Sequence, residues 1–144
     1  MEHCRRLAIP CSDLSVYVRL IDRDGVKELR GGIGRFKHVE SGLDVLDTSR
    51  RVSLPWSHYK TLCDKETLDI ISDVLQSESE GEVEIKGQSF VKIEFDAQGK
   101  SVVTVYRKVS RGVNNIKISV SHWTVVSIML RQLLEKGEEL ERLL

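Results

Sequence analysis

Tyr17 and Arg19 stand two residues apart in one stretch of this chain, and Tyr106 and Lys108 do so in another. Residues two apart on a β-strand point to the same side, so each pair would set an aromatic ring beside a cation on one strand face. A ring can stack on a planar base and a cation can neutralise a phosphate, the two contacts on which sequence-tolerant binding of single strands rests. Arg35, Lys37, Lys92 and Lys117 lie on further strand-like runs and complete the candidate set. Taken singly, each is equally what an ordinary solvated strand face carries. Taken together they outline a surface for stacking and phosphate neutralisation.

Other chemistry has less behind it. His58 and His122 follow similar local sequences and suggest a proton-transfer pair, but histidines at polar helix starts are commoner than catalytic ones. The chain has no Gly-x-Ser-x-Gly elbow, no His-Glu-x-x-His helix and no phosphate loop. The acids of the first helix read as a solvated face, not as an acid–base pair. No catalytic residue and no cofactor is expected. Cys4, Cys11 and Cys63 are odd in number and lack CxxC spacing, which predicts reduced thiols in place of a disulfide framework. His3, Cys4 and Cys11 fall short of the paired four-ligand spacing of structural zinc, and no metal site is expected.

The candidates need strands to carry them. The run 14–21 alternates, with Val16, Val18 and Leu20 on one side and Tyr17 and Arg19 on the other. Asp24-Gly25 supplies a hairpin turn. Further strands are predicted at 26–29, 35–39 and 50–54, with a flexible bend at Gly31, Gly32 and Gly34 and a loop over 40–49. Pro55 starts a helix over 56–76, interrupted near Asp64-Lys65, and 77–81 is a polar linker. The second half repeats this order, with strands at 82–86, 89–95, 101–108 and 116–120. An amphipathic helix then runs from about Ser121, striped by Val126, Met129, Leu130, Leu133, Leu134, Leu140 and Leu144 and softened at Gly137. Trp56, Tyr59, Trp123, Phe36, Phe90 and Phe95 are expected to fill the core.

The 144 residues carry 22 basic and 22 acidic side chains, 40% hydrophobic and 31% charged in all, which suits a soluble globular fold. The zero net charge is segregated: cations gather over 19–51 and 100–117, acids over 64–84. A basic face on a neutral protein is a weaker polyanion signal than a high isoelectric point. With neither a long apolar run nor a secretory leader, an intracellular protein without membrane contact is expected.

The chain also says one thing twice. Arg51-Val52-Ser53-Leu54 runs into Pro55-Trp56-Ser57-His58-Tyr59, and Lys117-Ile118-Ser119-Val120 into Ser121-His122-Trp123. These junctions, with the order strand-strand-strand-strand-helix before and through each, resemble the single-stranded nucleic-acid-binding transcription regulators. That superfamily includes the Whirly and Pur proteins, the mitochondrial guide-RNA-binding proteins of trypanosomes and positive cofactor four. The likeness rests on Val52-Ser53-Leu54 with Tyr59, and on Ile118-Ser119-Val120 with Trp123. The Whirly Lys-Gly-Lys-Ala-Ala-Leu motif is absent, which argues against a Whirly protein proper.

The expected fold is therefore α+β: two tandem strand-strand-strand-strand-helix repeats, 13–76 and 82–144, joined by the 77–81 linker into one compact unit of antiparallel sheets with packed helices. The resemblance implies a non-enzymatic binder of single-stranded DNA or RNA in transcription or replication, acting as a homodimer or larger homo-oligomer. The competing expectation is a protein-interaction or oligomerisation module that binds no nucleic acid.

Overall fold

The computed structural model describes residues 2–38 and 44–144. The fold is α+β, and the described residues form two four-stranded antiparallel sheets and three helices. The first sheet is a meander of β1 (Glu2–Ala8), β2 (Leu14–Arg23), β3 (Val26–His38) and β4 (Asp44–Pro55). Two helices follow, α1 (Trp56–Leu62) and α2 (Lys65–Gln76). The second meander is β5 (Gly81–Lys86), β6 (Ser89–Phe95), β7 (Ser101–Val109) and β8 (Gly112–Ser119), and α3 (Val120–Glu141) ends the fold.

Turn chemistry fixes the registers. Asp24 and Gly25 both take positive φ, 54° and 84°, the pair of left-handed residues that a two-residue hairpin matched to strand twist requires. The backbone N–H of Gly25 donates to the Asp22 carboxylate at 3.1 Å. At the β6–β7 connection the Asp96 carboxylate accepts the N–H groups of Gln98 and Lys100, each at 2.9 Å.

The first sheet departs from the sequence reading in three places. β1, a polar edge strand without apolar alternation, was not foreseen, and it pairs along β2 from Glu2 opposite Ile21 to Ala8 opposite Ser15. The predicted bend at Gly31, Gly32 and Gly34 is instead the middle of one continuous strand. These glycines are there because neighbours come too close for a side chain. A β-carbon on Gly31 would stand 2.5 Å from the Tyr59 ring, and one on Gly32 would stand 2.0 Å from the Val52 carbonyl oxygen. The predicted loop over 40–49 is strand from Asp44 onward, paired with the far half of β3; residues 40–43 lie outside the described residues. In the second sheet the last strand begins earlier than predicted, at Gly112 instead of Ile116.

The helices lie crosswise. α1 packs on β3 and β4 and reaches β5, α2 lies on β5 and β6 of the second sheet, and α3 returns to the first sheet across β1, β2 and β3. β4 runs beside β7 and β8 without joining their ladder. One apolar core therefore takes residues from both halves, from Ile9 and Val16 to Val105, Ile118 and Leu130. Along α3 the buried positions are Trp123, Val126, Leu130, Leu133, Gly137 and Leu140, a single helical stripe. Leu144, placed on that stripe from sequence, is 59% exposed beyond the helix end.

Trp56, Tyr59 and Trp123 are core residues. The two similar junctions differ in detail. Ser119 caps α3, its hydroxyl accepting the N–H of His122 at 3.3 Å. Ser53 instead accepts from Arg30 Nε at 2.8 Å, and α1 begins three residues later behind Pro55.

Gly137 is no soft point. It is a notch: a β-carbon there would sit 2.1 Å from Cη2 of the buried Trp56 indole. Gly137→Ala should gain about 1 kcal/mol of helix propensity yet destabilise overall, by about 1–2 kcal/mol, because overpacking of a filled core outweighs that gain. Urea unfolding measures the sign, and a stabilised variant would contradict the packing. Replacing Trp56 by Leu in the same chain should remove the penalty of the alanine.

Candidate nucleic-acid interface

With helices covering the inner faces, each sheet turns its other face outward, and register decides which side chains meet there. On the second sheet one row reads Glu82, Lys92, Thr104 and Lys117 across β5 to β8, and the next reads Glu84, Phe90, Tyr106 and Asn115. Phe90 and Tyr106 stack with ring centroids 5.1 Å apart and planes 19° from parallel. The ammonium of Lys108 sits over the Phe90 ring, 5.0 Å from its centroid. The Tyr106 hydroxyl donates to the Glu82 carboxylate, and Lys92 pairs with Glu94 at 3.3 Å. Lys92, Tyr106, Lys108 and Lys117, foreseen from sequence, thus share one face.

Phe90 is the residue that the sequence reading missed. It was expected in the core, as were Phe36 and Phe95, but Phe90 and Phe36 are half-buried on outward faces and Phe95 is 41% exposed. Its signal was available. Phe90 alternates with the buried Val91 and lies directly across from Tyr106 once the β6–β7 turn sets the register.

The first sheet presents a different surface. One row runs Arg6, Tyr17, Gly32 and Ser53, and the rows on either side supply Arg19 and Arg30, and Arg51. Tyr17 and Arg19 do share a face, but Tyr17 is fully buried there, which removes it as a base-stacking residue. The missing side chains of Gly32 and Gly34 let its ring lie down on the sheet, and its hydroxyl donates to the Val52 carbonyl at 3.1 Å. Phe36 meets it edge-on at 6.4 Å, with the Arg6 guanidinium 4.3 Å from the Phe36 centroid. Burial holds the Tyr17 phenol above its ordinary range, against the opposing pull of Arg51, Ser53, Arg19 and Arg30. Arg6, Arg30 and Arg51 were not among the candidates, yet all three join Arg19 on this face. Arg30 is held by Ser53 and by Glu28 at 2.7 Å.

Arg35 and Lys37 belong to neither cluster. Arg35 pairs with Asp13 and reaches across the seam between the sheets to the carbonyl of Lys117 at 3.4 Å. Lys37 is exposed, 3.7 Å from Asp47. The Asp47 carboxylate is held below the usual range, first by the Ser49 hydroxyl at 2.7 Å and then by Lys37 and Arg50.

The catalytic candidates are not assembled. His58 bonds Ser89, which pairs with Arg107 on β7, while His122 follows Ser119, which pairs with Val102 on the same strand. Five residues of strand separate those positions, about 17 Å. Cys63 is buried, and burial pushes its thiol up to about 12, so it offers little thiolate at neutral pH. Among the described residues no group of three or more His, Cys, Asp and Glu is placed to hold a metal ion, and no described helix is long and apolar enough to cross a membrane.

Comparison with protein-family models and with curated proteins finds no match to this chain.

His58 carries a pH signature. Burial, then the cations of Arg107, Lys86 and Arg30, lower its pKa below 6.5. The unfolded chain therefore binds more protons than the fold just below pH 6.5, and stability rises with pH through that window, full above it and reduced below. His58→Gln should flatten this part of a stability–pH curve measured by thermal unfolding. An unchanged slope would show that His58 titrates normally in the fold.

Proposed function

We propose that this protein is a non-enzymatic binder of single-stranded DNA or RNA, with its main contact on the outward face of the second sheet. The observation that carries the reading is the half-exposed Phe90–Tyr106 stack, crowned by Lys108 and flanked by Lys92 and Lys117. An open aromatic pair extends base stacking, and the lysines neutralise neighbouring phosphates. The glutamates of this face lie towards β5 and β6, while Lys108 and Lys117 lie towards the β4–β8 seam. The Arg6, Arg19, Arg30 and Arg51 face of the first sheet supplies further positive field. The two halves are read as copies of one strand-strand-strand-strand-helix unit, supported by their matching element order. A role in transcription or replication, in which single strands are exposed, follows from that resemblance.

A protein-interaction module is the second reading, and one observation favours it. Two adjoining grooves, one of about 780 Å³ between the β6–β7 turn and the start of α3 and one of about 600 Å³ between α2 and α3, meet at Leu75 and Val120. Phe95, Val120 and Ile128 line them and are left exposed. A homodimer closed through this groove is compatible with either function.

Titration of the protein with labelled single-stranded oligonucleotides at two salt concentrations tests the first reading. Affinity should fall with salt. Tyr106→Ala should weaken binding by about 1–3 kcal/mol, or roughly five- to 150-fold. Tyr17→Phe should leave affinity unchanged, because that ring is buried. Absence of binding at low salt, or indifference to salt, would sink the proposal. A stable dimer that ignores oligonucleotide in light scattering would favour the second reading.

A further inference from the structure

At the end of the second sheet far from the start of α3, one register row crosses all four strands as Lys86, Ser89, Arg107 and Asn114. Ser89 is fully buried, and its hydroxyl shares a 2.7 Å hydrogen bond with Nδ1 of His58. The β5–β6 turn lies against the same ring: a β-carbon on Gly87 would stand 3.2 Å from Cε1 and 3.5 Å from Nε2. His58 therefore closes this row from α1, with its Nδ1 engaged by Ser89.

The cluster has more positive charge than it can satisfy internally. Arg107 is half-buried, and its buried Nε has no hydrogen-bond partner among the described residues. Arg30 lies near enough for its charge to oppose that of Arg107, and burial and this repulsion together lower the Arg107 pKa. Glu28 favours the Arg107 cation, but its carboxylate is already paired with Arg30 at 2.7 Å. Cations drawn together and partly removed from water are unfavourable until an anion joins them. A guanidinium offers paired N–H donors matched to a tetrahedral oxyanion, and an ammonium adds a point charge.

We propose that Arg107, Lys86 and His58 form a binding site for a phosphate group, with Arg30 behind them as a fixed positive charge and Ser89 orienting the imidazole. The row lies on the opposite face of the sheet from the Phe90–Tyr106 stack, so this is a separate site. Its existence does not depend on the nucleic-acid reading; only one of two sources for the phosphate, the end of a bound strand in place of the free anion, rests on that reading. A phosphate here stabilises the protonated imidazole and thereby reverses the depression of its pKa.

Imidazole NMR signals of the full chain, followed during addition of inorganic phosphate, test the site. The His58 signals should shift saturably, and their titration midpoint should rise by about one pH unit. Arg107→Gln should abolish most of the response, and Lys86→Gln, at the exposed end of β5 where the core is untouched, should weaken phosphate binding about tenfold. Two further arms use a terminally phosphorylated oligonucleotide and its unphosphorylated counterpart. A shift with inorganic phosphate and with the first oligonucleotide, but not with the second, identifies a strand end as the source. A shift with inorganic phosphate and neither oligonucleotide identifies the free anion, and both results uphold the site. His58 signals that ignore inorganic phosphate, or respond equally in both variants, overturn it. Tyr106 ring signals report outer-face binding in the same spectra, so failure of that binding is read separately.

Discussion

The hydroxyl of Tyr59 donates to the Leu130 carbonyl at 2.8 Å, and the placement of every other layer follows from where that side chain sits. Its ring fills the space over Gly31, its other side stacks on Trp56 at 5.2 Å, and Trp56 fills the notch of Gly137. First sheet, α1 and α3 are thereby locked into one stack. Burial holds the phenol far above its ordinary pKa, so it remains a donor at any physiological pH. Cys63 adds a weaker bond from Sγ to the same carbonyl at 3.4 Å. α3 lies mainly on the first sheet and α2 on the second, and the buried residues of both halves join in one core.

This crossed arrangement leaves two outward sheet faces of unlike chemistry. The first is rich in arginine, but its aromatic ring is sealed beneath. The second keeps an aromatic pair partly open and carries lysines with glutamates beside them. Zero net charge thus conceals local fields: acids are dense along α2 and on the β5 side, while the arginines of the first sheet are only partly offset by Asp13, Glu28 and Asp47. Affinity for a polyanion depends on such patches more than on total charge. The phosphate-binding row proposed at Arg107 is a third positive locus, reached from the α1 end.

Much of this was legible where local rules dominate. Asp24-Gly25 fixes β2 against β3, and that register alone places Arg19 opposite Arg30 and Tyr17 opposite Gly32. The second half reads almost strand for strand, since its turns are short and its apolar residues alternate. What failed to show was long-range. Three glycines in a dozen residues suggest a bend by composition, and only the rings of Tyr59 and Tyr17 and the backbone of β4 explain them as a strand. β1 is polar because it is an edge, so it gives no alternation to find. Tyr17 was given its correct face, but burial on that face depends on two glycines and a cover of arginine and Phe36 from other strands. The core assignment of Phe90 failed for the opposite reason: ring size suggests burial, while strand parity sets Phe90 opposite the buried Val91.

Residue-resolved chemical-shift mapping with a short single-stranded oligonucleotide tests the central claim most directly. The largest changes are expected at Phe90, Lys92, Tyr106, Lys108 and Lys117, with Tyr17 and the α2–α3 groove little affected. Changes confined to the groove around Leu75, Val120 and Ile128, or none anywhere, would contradict it.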